Sequence, residues 1–134
     1  MEEKPIVPSV PFKACPIQTS LGLLGKKWTM LILRDIGFMK VDRFNRMLRV
    51  TPGLTPRVLS LRLKELEKGG YISSSEVRSD PPMVRWSLTK KGEDALPILM
   101  SLIEFGSKWY PEEVFADKRP RTVTELFPSM PHGR

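Results

Sequence analysis

Arginine and lysine are the residues of this chain best placed to do chemistry, and they are concentrated. Between residues 43 and 91 stand Arg43, Arg46, Arg49, Arg57, Arg62, Lys64, Lys68, Arg78, Arg85, Lys90 and Lys91, eleven cations against the four acids Glu65, Glu67, Glu76 and Asp80. The surplus of seven equals the net charge of all 134 residues, so the rest of the chain is electrically balanced. A basic surface confined to one stretch is the electrostatic footprint of a nucleic-acid-binding module.

Other chemistries find few residues to use. Cys15 is the single cysteine, so it has no partner for an internal disulfide and no thiolate set for a metal. The single histidine, His132, lies near the end of a proline-bearing tail, away from any serine–acid pair that could form a hydrolytic triad. There is no glycine-rich phosphate loop. The expectation is therefore a protein that is not an enzyme and carries no metal or cofactor. No run approaches the roughly 18 apolar residues of a membrane span. The start, MEEKPIVPSVPF, has acids and prolines where a secretory signal needs positive charge and an apolar helix. These features read as a cytoplasmic protein without a membrane partner.

The elements that must position the basic groups follow from spacing and punctuation. Pro5, Pro8 and Pro11 make residues 1–14 an extended arm. Pro16 suits the first position of a helix running to about Leu24 and stopping at Gly25, with Ile17, Leu21 and Leu24 on one face. Trp28 opens a second helix, apolar on most sides and so central, which Gly37 ends. Asp42 is the expected N-cap of a third helix, Arg43 to Leu48, that buries Phe44, Met47 and Leu48. A turn, Arg49-Val-Thr-Pro-Gly-Leu, leads to Thr55 as cap and Pro56 as first residue of a fourth helix, closed by Gly69 and Gly70. Tyr71 to Val77 and the alternation of Val84, Trp86 and Leu88 read as two strands about a proline-containing turn. Thr89 caps a last helix that reaches about Tyr110, and Pro97 should kink it or split it in two. The whole is α+β, mainly α: a winged helix-turn-helix over residues 15–110 with a two-stranded wing, followed by a tail at 111–134.

Within the fourth helix, Leu59, Leu63 and Leu66 share one face, while Arg57, Leu61, Lys64 and Lys68 share the opposite one, with Ser60 on its flank. In a major groove, Thr55, Arg57, Ser60 and Leu61 would reach base edges, with Arg57 able to grip a guanine bidentately. Lys64 and Lys68 would meet phosphates. Arg78 and Arg85 flank the wing turn and could enter a minor groove. Lys27 and Arg43 stand at helix starts as further phosphate contacts.

The ordered signals from Cys15 to Trp109 resemble one family. Cys15-Pro16, Gly25-Lys26-Lys27-Trp28-Thr29, Ile32-Leu33, Arg43-Phe44-Asn45, Pro52-Gly53-Leu54-Thr55, Leu59, Arg62-Leu63-Lys64-Glu65-Leu66-Glu67, Gly70, Pro82, Leu88-Thr89, Gly92 and Trp109 are similar to the HxlR-type winged-helix transcriptional regulators, relatives of the MarR group. Leu61 departs from the polar residue usual at its position. The resemblance implies a homodimer whose first and last helices pack across the dimer. Here those roles fall to the region from Cys15 to Leu21 and to Leu99, Leu102, Ile103, Phe105 and Trp109. The alternative for the last five is that they cover the chain's own core.

Some relatives sense electrophiles or oxidants through a cysteine at the position of Cys15. Redox sensing is one reading of that thiol, and a buried, inert thiol packed at a dimer seam is the other. The resulting expectation is a dimeric, sequence-specific regulator on double-stranded DNA, bound to an inverted repeat. A non-specific architectural DNA-binding protein and a protein-interaction winged helix are the competing readings.

Overall fold

A computed structural model describes residues 3–130; His132 lies outside them. The residues of the arm that are described, 3–14, form neither helix nor strand. The chain then builds α1 (Pro16–Leu24), α2 (Thr29–Gly37), α3 (Phe44–Val50) and α4 (Pro56–Lys68), a wing of β1 (Ile72–Val77) and β2 (Met83–Leu88), and α5 (Lys90–Trp109). Two short helices, α6 (Pro111–Val114) and α7 (Val123–Leu126), follow. The strands pair antiparallel, Ile72 opposite Leu88 and Val77 opposite Met83.

The core sits where α2, α3 and α4 meet under the wing and the first half of α5. Ile32, Leu33, Met47, Leu59, Leu63, Leu66, Ile72, Ala95 and Leu99 are among its buried members. Thr55 caps α4 by accepting the Val58 amide at 3.2 Å, and Thr89 caps α5 by accepting the Gly92 amide at 3.2 Å. Each satisfies a helix-end donor that would otherwise lack a partner.

Five local expectations are corrected, wholly or in part. Trp28 does not open α2 but precedes it, in the left-handed region at φ 81°. Asp42 does not cap α3; Arg43 holds that position without a side-chain cap. Asp42 instead ties the wing to α3, its carbonyl accepting the Trp86 amide at 2.9 Å and its carboxylate lying 3.7 Å from Arg85. α3 continues to Val50, so the turn is shorter than the residue types suggest. α5 passes through Pro97 as one helix, so of the two expected outcomes, a kink or a split, the split does not occur. Pro97 and Glu93 are both exposed, so the Glu93 carbonyl that loses its amide partner can be hydrated. The strand alternation holds only in part: Trp86 and Leu88 are half-buried, but Val84 is exposed.

The segment after α5 folds back on it. The Arg121 amide donates to the Ser107 carbonyl at 3.3 Å, and the Arg121 guanidinium pairs with Asp117 and lies 4.6 Å from the Phe115 ring. Thr122 and Glu125 form a reciprocal capping box on α7. Among the described residues, no helix is long and apolar enough to cross a membrane.

The turn into α4 depends on Gly53. Its φ is +92°, and a Cβ there would lie 3.2 Å from the Trp28 ring. Gly53→Ala is expected to cost about 1–2 kcal/mol of unfolding free energy through the backbone penalty for a side chain in this region. Urea denaturation checks this, and an unchanged midpoint would contradict it.

Candidate nucleic-acid interface

α4 is held by its leucines. Leu59, Leu63 and Leu66 are at most 2% exposed, which fixes the helix's rotation about its own axis. At 3.6 residues per turn the opposite side must then face outward. Arg57, Leu61, Lys64 and Lys68 are all exposed there, with Ser60 partly exposed at their edge and Thr55 exposed at the N-terminus. The expected face is therefore assembled, including the apolar Leu61, which is half exposed.

A charged clamp fixes α4 to the loop before α2. Lys26 Nζ lies 2.6 Å from Glu65 Oε2, Arg62 Nη1 lies 3.0 Å from Glu65 Oε1, and Arg62 Nε donates to the Lys27 carbonyl at 2.9 Å. The Lys26 hydrogen bond is the main reason the Glu65 carboxyl titrates below its ordinary value, with partial burial opposing it and Arg62 assisting. Arg62, one of the eleven cations, thus acts as a buttress and not as an outward contact.

The remaining expected contacts divide. Arg78 is exposed directly after β1. Arg85 sits two residues inside β2 and is partly engaged by Asp42. Lys27 is exposed with its ammonium 5.1 Å from the Trp28 ring, and Arg43 is exposed at the start of α3. Lys91 is turned to structure, its ammonium donating to the Gly69 carbonyl at 2.8 Å and lying over Tyr71. Among the described residues, no cluster of histidine, cysteine and acids could hold a metal ion.

α5 carries two apolar stripes, and they settle where the five residues assigned to dimerisation point. Ala95 and Leu99 are buried in the chain's own core, and Ile103 is half-buried on that side. Leu99 is thus a core residue rather than a free dimer contact. Ile98, Leu102, Phe105 and Trp109, spaced four, three and four, form a separate exposed stripe. That spacing is the 3.5-residue repeat of a helix seam. On α1, Ile17 and Leu21 are exposed and only Leu24 is buried. A groove of about 310 Å³ lies between these faces, lined by Ile17, Leu21, Leu24, Met30 and Ile98 among others. Cys15 is exposed at the N-cap of α1.

The sequence reading also missed Asp35, which is fully buried in α2. Its neighbours Arg34 and Thr51 gave no sign of it, because an acid among apolar residues reads as the solvent side of a helix.

Residues 23–114 match the HxlR-like helix-turn-helix family. An HTH-type transcriptional regulator of Synechocystis sp. is 37% identical over 74% of this chain and 73% of its own length. A MarR-family transcriptional regulator from Porphyromonas gingivalis W83 superposes with a TM-score of 0.63 at 28% identity, covering 81% of this chain and all of that one. The redox regulator HypR in its reduced form gives a TM-score of 0.63 at 31% identity, covering 75% of this chain and 96% of its own.

The clamp sets a pH dependence. Because the Glu65 carboxyl is lowered in the folded chain, its contribution to stability is complete above the ordinary value of 4.5 and is lost as pH falls through the folded value. The stability difference between the native chain and Glu65→Gln is expected to be present at pH 7 and to close only as pH falls through the folded value, below 4.5. Thermal unfolding of both across that range checks it, and a difference independent of pH would contradict it.

Proposed function

The chain belongs to the HxlR-like helix-turn-helix family of DNA-binding transcriptional regulators, and we propose that it acts as a homodimer that reads an inverted repeat. The observation that carries this reading is the outward basic face of α4, locked in place by the buried leucines behind it. α4 lies in the major groove. Arg57 reaches a base pair, Lys64 and Lys68 meet phosphates, and the wing with Arg78 follows the adjacent minor groove. Lys27, Arg43 and Arg85 add backbone contacts.

The exposed stripe of α5 supports the dimer. Ile98, Leu102, Phe105 and Trp109 form an apolar band that one subunit leaves open, continuous with the exposed Ile17 and Leu21 face across the groove. A two-fold axis through such a band buries the same patch twice and pairs two α4 helices for two half-sites. The exposed thiol of Cys15 supports a signal input near the same helix. Its test is alkylation by iodoacetamide at neutral pH: a rate well above that of free cysteine supports sensing, and a rate equal to it argues against.

Duplexes selected by the protein from a random pool test the DNA reading. Arg57→Ala is expected to lose about 1–3 kcal/mol of discrimination at one base pair. Lys64→Ala should weaken all sequences alike and reduce the salt slope by about 0.9. Equal affinity for selected and random duplexes would replace this reading with that of an architectural protein. Leu102→Asp should convert a dimer to a folded monomer in sedimentation, and a wild-type monomer would contradict the dimer.

A further inference from the structure

Asp35 is fully buried, and its carboxylate is fully engaged. Arg34 donates to Oδ1 from Nε at 3.0 Å and from Nη2 at 2.8 Å, and the Thr51 hydroxyl donates to Oδ2 at 2.9 Å. Arg34 Nη2 also lies 3.3 Å from the Thr51 oxygen. Thr51 belongs to the turn between α3 and α4, shortly before Thr55, the cap of α4. The guanidinium is therefore pinned against the turn that delivers α4.

The pair is not what packing alone calls for. An apolar residue at a buried ionic position is often as stable or more so, and removing one partner leaves a costly bare charge. What the carboxylate supplies is a fixed orientation for the arginine. Two of the guanidinium nitrogens are engaged, while Nη1 has no acceptor among the described residues, and the side chain is 32% exposed. An arginine with one edge held and another presented to solvent is pre-organised for an oxyanion. Arg49, exposed in the last turn of α3, adds positive potential to the approach to this turn.

We infer that Arg34 is a contact to a DNA backbone phosphate at the α3–α4 turn and that Asp35 is the positioning residue that aims it. This rests on the docking of α4 proposed above. The phosphate contact carries no base information, so it adds affinity and register without changing the preferred sequence.

The test uses the full chain and a short duplex of mixed sequence, with fluorescence anisotropy read across a salt series. One phosphate contact contributes about 0.9 to the slope of log affinity against log salt. Arg34→Gln is expected to make the slope shallower by about that amount. Arg34→Lys keeps a point charge and should restore most of it. Arg34→Gln bares the buried Asp35 and can unfold the chain. The double variant Arg34→Gln/Asp35→Asn removes both charges, leaves the net charge unchanged, and should show the same shallower slope. A merely structural clamp predicts lower melting temperature with the slope unmoved. Unchanged slopes in folded variants overturn this assignment while leaving the docking of α4 in place. A wild-type chain that does not bind the duplex overturns both.

Discussion

The outward basic face of α4 depends on three leucines being out of water. Leu59, Leu63 and Leu66 are at most 2% exposed, and each contributes on the order of 2 kcal/mol by burial. Their larger effect is geometric. A helix has one free rotation about its axis once its ends are placed, and an apolar seam removes it. With that rotation fixed, the sequence interval alone puts Arg57, Lys64 and Lys68 on a common outward face. The Thr55 cap and the left-handed Gly53 fix where the helix begins. The Arg62, Glu65 and Lys26 clamp fixes its middle to the loop before α2. The basic residues need no contacts of their own to be in position.

Much of this was legible in the sequence, because it rests on periodicity and on residues with strong local preferences. Thr55-Pro56, Gly69-Gly70 and Thr89 set helix ends where they were expected, and the alternation near Trp86 marked the second strand. What escaped depends on contacts between distant segments. Asp42 looks like a cap, but the Trp86 amide and Arg85 draw it to the wing. Trp28 looks like a helix opener, but it packs against Gly53 and takes a left-handed backbone. Pro97 looks like a break, yet it stands on the solvent side of α5, where a lost hydrogen bond can be replaced by water. Asp35 could not be read as buried without knowing that Thr51 and Arg34 converge on it.

α5 shows a limit of pattern reading. Its apolar residues are too many for a single stripe, and the sequence grouped Leu99, Leu102, Ile103, Phe105 and Trp109 as one surface. The fold separates them into a stripe that closes the core through Ala95 and Leu99 and another through Ile98, Leu102, Phe105 and Trp109 that one subunit leaves exposed. Turning one residue along a helix is about 100°, so neighbours such as Leu102 and Ile103 serve different faces. The same helix can thus stabilise the subunit and offer a seam to a second copy.

Chemical-shift mapping reads out which face of the chain meets DNA. Amide resonances of the isotopically labelled chain are followed as duplex DNA is added. The largest changes are expected from Thr55 to Lys68, in the α3–α4 turn and at Arg78, with the outward stripe of α5 unmoved by the duplex itself. Changes centred on α5 or the segment after it, with α4 silent, would contradict the docking of α4.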